Sequence, residues 1–305
     1  MKVAVAGTGD VASYLIEELG NYGHEVVVLT RSSRAERSFE QRETDYTVSS
    51  LVSVLHDCEA LVSTVADYSN LAVGVEAHLN MLEACLESAK CKTFVPSEWT
   101  CDTQTYPDEP SFLRESNELL HGKLAAASAA KDIRTTIVCT SWFADYVLPA
   151  SNRHLRDIGA LWPMDHGKKV FTVYGPGTQV VDLVPARDVA RALAVLLDSE
   201  EPWDLYTYFS GHQLTWNELF AIVKRRDPAW TSVRQSLAAT LALMRAPEHS
   251  EDFMRSQFEI LSYTGASRLP GDKVQEQRTK FFPLAHFRTV EELLDNAVAK
   301  PDGIL

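Results

Sequence analysis

Gly7-Thr8-Gly9-Asp10-Val11-Ala12 stands between an apolar run, Lys2 to Ala6, and a segment of helical spacing, Val11 to Leu19. Residues of these types at this spacing can hold a pyrophosphate. The first glycine permits a tight turn, the second lets backbone approach the phosphates, and a small third residue lets the helix pack closely on the strand. The following helix adds free N–H groups and about half a positive charge. That is the chemistry of dinucleotide binding. The next apolar run, Glu25 to Leu29, ends on Thr30-Arg31-Ser32-Ser33-Arg34 rather than on an acid that would bond a ribose hydroxyl. An arginine fork with a neighbouring hydroxyl accommodates a 2′-phosphate, so this ending selects NADP(H), through Arg31 and Ser32 first and Arg34 less directly.

Such a site needs a parallel sheet covered by helices. Apolar runs at Lys2 to Ala6, Glu25 to Leu29, a weak one near Tyr46, then Ala60 to Thr64, Thr93 to Pro96 and Thr135 to Cys139 read as its strands. Leu71 to Ala89 and about Phe112 to Ala130 read as helices between them. After Pro149 the alternation breaks at Trp162-Pro163, Gly167 and Gly175-Pro176-Gly177; it returns with a helix over Pro185 to Leu197 and a strand over Tyr206 to Phe209. The remainder is helical, with a capping box at Thr215 to Glu218 and a closing helix over Thr289 to Ala299. The expected fold is α/β: a doubly wound parallel Rossmann sheet with a smaller, mainly helical C-terminal substrate lobe. Its nucleotide domain would comprise 1–148 plus 186–210, and its lobe 149–185 plus 211–305.

The 305 residues carry a net charge of -13. Their basic residues are scattered among more numerous acids, which argues against nucleic acid as a partner. The start runs directly into an apolar strand, and no later run approaches membrane-spanning length, so a cytoplasmic protein without a membrane partner is expected, as monomer or homodimer. Five cysteines without a CxxC pair read as reduced, mostly buried thiols, and the nine histidines lack HxxxH or HExxH spacing, so no metal is expected.

For catalysis, none of the ten tyrosines has a lysine four residues later, so the Tyr-x-x-x-Lys site of ordinary short-chain dehydrogenases is absent. In its place stand Phe94-Val95-Pro96-Ser97-Glu98-Trp99 at a strand end, His121-Gly122-Lys123 in the next helix, Ser141-Trp142-Phe143-Ala144-Asp145-Tyr146 after the sixth strand, and Val181-Asp182 leading into Arg187-Asp188-Val189-Ala190. With the glycine turn and Arg31, this combination resembles the NmrA-like and isoflavone-reductase-like group of atypical short-chain dehydrogenases over nearly the whole chain up to Gly211. The resemblance implies NADPH, bound by Gly7, Thr8, Gly9, Asp10, Val11, Arg31, Ser32, Thr64, Ser97 and Lys123. It also places the family's single lysine on Lys123, as proton donor or base. Glu98 is a second candidate acid or base on its own account. A partly desolvated ammonium can have its pKa lowered from about 10.4 toward neutrality, where proton transfer is efficient. One departure is Thr100, where the family has glycine.

Trp99, Trp142, Phe143 and Tyr146 supply aromatic surface suited to a bulky, flat substrate, joined by part of the lobe set Trp216, Phe220, Trp230, Phe253, Phe258 and Tyr263. Three functions fit these residues. The first is NADPH-dependent reduction of a small secondary-metabolite-like molecule. The second is redox-neutral cyclisation or isomerisation by Glu98 and Lys123 with NADP(H) as a structural wall. The third is NADP(H) sensing without catalysis.

Overall fold

The computed structural model describes residues 1–33, 39–67, 70–248 and 250–305. Six strands build the main sheet: β1 (Lys2–Ala6), β2 (Glu25–Thr30), β3 (Glu40–Glu43), β4 (Ala60–Ser63), β5 (Thr93–Val95) and β6 (Arg134–Thr135), in spatial order β3-β2-β1-β4-β5-β6. All adjacent pairs are parallel, with Val3 opposite Val26 on one side and Ala60 on the other. Between the strands run α1 (Asp10–Tyr22), α2 (Val48–Val54), α3 (Leu71–Glu87) and α4 (Arg114–Ala129). The strand order reverses between β1 and β4, and there the loops leaving the two strands part to open a crevice.

Strand alternation divides the core. Val3, Val5 and Val62 face a layer of α1 with Leu15 and Leu19, together with Leu193 and Leu197 of α5 (Ala186–Asp198). Ala4, Ala6 and Leu61 face Leu51, Met81, Cys85, Leu120 and Leu124 from α2, α3 and α4. Each fully buried leucine contributes roughly 1.5–3 kcal/mol by leaving water. All five cysteines are buried free thiols.

Two strand expectations shift. The weak strand near Tyr46 lies earlier, at β3, and Tyr46 itself turns the chain with φ 64°. The run read as Thr135 to Cys139 is interrupted at Thr136, whose hydroxyl pairs with that of Thr207 at 2.8 Å. Beyond it, β7 (Ile137–Cys139) leaves the main sheet and pairs with β12 (Tyr206–Tyr208). Hydrophobic pattern alone does not reveal that change of partner.

The rest of the chain is more sheet-rich than its sequence suggests. β8 (Trp142–Phe143), β11 (Val180–Val184) and β13 (His212–Thr215) form one small sheet; β9 (Met164–Asp165), β10 (Val170–Tyr174) and β14 (Thr231–Gln235) form another. Around them pack α6 (Trp216–Arg226), α7 (Leu237–Leu243), α8 (Glu251–Ile260), α9 (Gly271–Phe281) and α10 (Val290–Ala299). Thr215 and Thr289 both close capping boxes, with Glu218 and Glu292. Trp216, Phe171, Trp230 and Leu219 form this lobe's own core. No helix among the described residues is long and apolar enough to cross a membrane.

Candidate functional site

At the crevice, β1 ends in a turn that only glycine makes easily. Gly7 has φ 102°, its N–H donates to the Leu29 carbonyl at 3.0 Å, and a Cβ there would meet Thr64 Oγ1 at 2.6 Å. Gly9 precedes α1, whose N-terminus has no side-chain cap, and a Cβ on Gly9 would meet nothing within 4 Å. The result is an uncapped helix end with bare backbone facing an open cleft, which fits a pyrophosphate.

The cleft has a volume of about 820 Å³ and runs from this turn across the sheet edge into the lobe. Gly7, Thr8, Gly9, Asp10, Val11, Arg31 and Tyr46 line one end; Thr64, Ser97 and Glu98 line the middle. Arg31 lies over the Tyr46 ring at 5.9 Å, and Tyr46 is itself fixed by its hydroxyl on the Leu29 carbonyl at 3.1 Å. Ser32 is exposed next to Arg31 and exchanges hydrogen bonds with Thr30, outside the cleft wall. Arg34 lies outside the described residues.

The far end of the cleft is apolar. Trp99, Trp142, Phe143 and Tyr146, the four aromatics singled out from sequence, line it together with Leu155, Ile158, Leu161, Met254, Phe258 and Leu261. Trp142 is wedged between Trp162 at 5.4 Å and Phe258 at 6.1 Å, and its indole N–H donates to Ser267 Oγ. Of the six lobe aromatics, part of which was expected to line the pocket, Phe258 lines this cleft, and Trp216 and Trp230 are core. A two-sheet lobe must fill its own interior first, which takes up Trp216 and Trp230.

The segment between β5 and α4 carries the polar chemistry. Trp99 has φ 43° and Ser141 φ 56°, a left-handed pair on opposing strand ends. Thr100 between them accepts the N–H groups of Thr140 and Ser141 at 2.9 Å, so the strain falls on Trp99 and not on the position where the family has glycine. His78 of α3 holds this turn: its Nε2 accepts the Ser97 N–H at 3.1 Å, so Nδ1 carries the proton that meets the Gly74 carbonyl at 2.7 Å. Burial holds His78 below the ordinary imidazole pKa, in keeping with that neutral form. From the lobe side, the Ser267 carbonyl accepts the Ser141 hydroxyl. Asp182 secures the same segment by accepting the Leu269 N–H at 2.7 Å, and burial pushes its carboxyl up to about 6.

Glu98 is nearly closed off from water, with its Oε2 at 3.4 Å from His121 Nε2. That nitrogen is buried without a hydrogen bond of normal geometry. On the other side of the ring, Tyr206 Oη lies 3.4 Å from Nδ1, and burial pushes the phenol up to about 12, so it keeps its proton. Behind Glu98 a recess of about 70 Å³ reaches between α3 and α4, where the buried Asn117 amide nitrogen lacks a partner.

Lys123 does not join this group. It is exposed and lines a separate hollow between α3 and α4 with Asn80, Glu83 and Asp132. The reason is helical geometry: Asn117, Leu120, His121 and Leu124 form the buried stripe of α4, and a residue two positions past His121 lies about 200° around the axis. The catalytic and cofactor roles expected of Lys123 therefore lack a geometric basis, and His121 occupies the position facing Glu98. The stripe was readable from spacing, whereas His78 gave only the signal of a histidine on a buried helix face.

The NmrA-like family matches residues 2–294. Over its full length the chain is 38% identical to an Oxidoreductase swnR of Arthroderma benhamiae and 36% identical to one of Metarhizium robertsii, each also covered completely. Among solved structures, leucoanthocyanidin reductase from Vitis vinifera superposes with a TM-score of 0.77 at 17% identity, covering 98% of this chain and 100% of that one.

Proposed function

The chain belongs to the NmrA-like family, and from that premise we propose that it is an NADPH-dependent reductase of a bulky small molecule in which Glu98 exchanges the proton and His121 positions its carboxyl. The observation that carries the reading is a buried carboxylate–imidazole pair opening onto a cleft whose other end is a glycine turn with an arginine beyond it. The relatives named oxidoreductase support the reaction class.

NADPH, when bound, supplies a hydride. The α1 N-terminus and the backbone of Gly7 to Gly9 hold its pyrophosphate, and Arg31 selects the form bearing a 2′-phosphate. Trp99, Trp142, Phe143 and Phe258 hold a flat apolar substrate and exclude water from it. Glu98, a buried carboxyl in the middle of the wall, exchanges a proton with the substrate atom that gains or loses charge. His121 orients the carboxyl: Tyr206 donates to Nδ1, which leaves the Nε2 proton directed at Glu98, and Glu98 re-equilibrates its own proton with solvent through the cleft after each turnover. His78 fixes the backbone from which Glu98 projects.

The test is calorimetric binding of NADPH followed by a panel of conjugated carbonyl, imine and cyclic ether compounds, read by NADPH absorbance. Oxidation of NADPH with one structural class is the expected result. Binding of NADPH with substrate consumed but no NADPH oxidised would overturn the hydride step in favour of redox-neutral acid–base chemistry.

A further inference from the structure

We propose that Arg156 is a cofactor-binding residue that clamps the pyrophosphate from the side opposite the α1 N-terminus. The inference rests on the dinucleotide reading given above.

Residues 149–163 cross from the Rossmann half toward the lobe as a strap, and the strap is fastened to α1. Tyr14 Oη accepts the His154 N–H at 3.0 Å, His154 Nε2 lies 2.8 Å from Glu17 Oε1, and Leu155 is buried in the core beneath. Held in this way, the strap places Arg156 in the same cleft wall as Gly7, Thr8 and Gly9. Its backbone N–H and its Nε both donate to Asp10 Oδ2, at 2.8 and 3.1 Å.

Asp10 stands in the first turn of α1. A carboxylate there suits the helix dipole but opposes a phosphate approaching the same N–H groups. Arg156 cancels that charge. Because only Nε is engaged, both terminal amino groups of the guanidinium remain without a hydrogen bond or ion pair to the described residues, and the side chain is 84% exposed. A guanidinium presented in this manner matches two phosphate oxygens at once. Arg31 and Arg156 then read different parts of one molecule, the first its 2′-phosphate and the second its pyrophosphate.

Three ligands separate those contacts in isothermal titration of the full chain: NADP⁺, ADP-ribose, which has the pyrophosphate without the 2′-phosphate, and 2′-AMP, which has the reverse. Arg156→Ala should raise the Kd of NADP⁺ and ADP-ribose about tenfold and change that of 2′-AMP by less than about twofold, with Arg156→Lys recovering part of the loss. Unchanged ADP-ribose binding, or equal weakening of 2′-AMP, would overturn the clamp while leaving the dinucleotide reading intact. Failure of the unaltered protein to bind any of the three would instead remove the dinucleotide reading, and the clamp with it.

Discussion

His121 Nε2 faces Glu98 Oε2 at 3.4 Å, and only about a tenth of either side chain is exposed to solvent. The pair makes a direct prediction. Glu98→Gln and His121→Asn should each lower kcat by roughly 10²–10⁴ while NADPH affinity is preserved. Lys123→Ala should leave kcat within about twofold, because its side chain lies on another face of α4. Steady-state rates of the three variants decide the matter, and a collapse in Lys123→Ala alone would reverse the assignment.

Arg31 bears on cofactor choice. In the proposed binding mode its guanidinium makes a charge-assisted contact that only the 2′-phosphate can use, so Arg31→Ala should weaken NADPH about 10- to 100-fold more than NADH. Calorimetry with both nucleotides measures the ratio. Equal weakening would mean that Arg31 acts through Tyr46, over whose ring it lies.

The two glycines of the turn should respond differently to a methyl group. Gly7→Ala forces a residue with φ 102° and a 2.6 Å contact to Thr64 Oγ1, at a cost of about 1–3 kcal/mol in urea unfolding. Gly9→Ala meets no protein atom within 4 Å, so unfolding should move far less. Cofactor binding should nevertheless weaken in Gly9→Ala, because the methyl fills space through which phosphate reaches the backbone. Comparison of unfolding with binding for both variants separates strain from obstruction.

A pH dependence follows from Asp182. Burial raises its carboxyl from 3.8 to about 6 in the folded protein, equivalent to roughly 3 kcal/mol in favour of the protonated form. Between these values the folded state binds more protons than the unfolded one, so this contribution to stability is full below about pH 4 and is lost as pH rises through 6. The unfolding free energy of the natural protein, measured relative to Asp182→Asn, should fall over that range. A difference that stays flat would place the carboxyl at its ordinary pKa.

Periodicity and turn chemistry made the nucleotide half legible. The runs at Lys2, Glu25 and Ala60 are strands because apolar residues there serve both faces of one sheet, and Gly7 announces its turn because few other residues tolerate it. Reading single residues by motif position was less dependable. Lys123 resembles a catalytic lysine in the string of letters, yet its neighbours Leu120 and Leu124 already fix which way α4 faces, and the inward residue is His121. Tertiary relations left no local mark at all. His78 acts on Ser97, nineteen positions along the chain, and Ser267 meets Trp142 across 125. The lobe's strands were hidden for a similar reason: β14 is almost wholly exposed and carries no alternation to betray it.

The cleft also has an uneven division of labour. At one end the groups presented are mostly main chain, which tolerates little alteration; at the other, Met254, Phe258 and Leu261 project from α8 and the residue just after it. Side chains on a lobe with its own core can be exchanged without disturbing the turn that grips the nucleotide. Replacements at Met254, Phe258 and Leu261 would therefore reshape part of the apolar end without touching the backbone turn at the other.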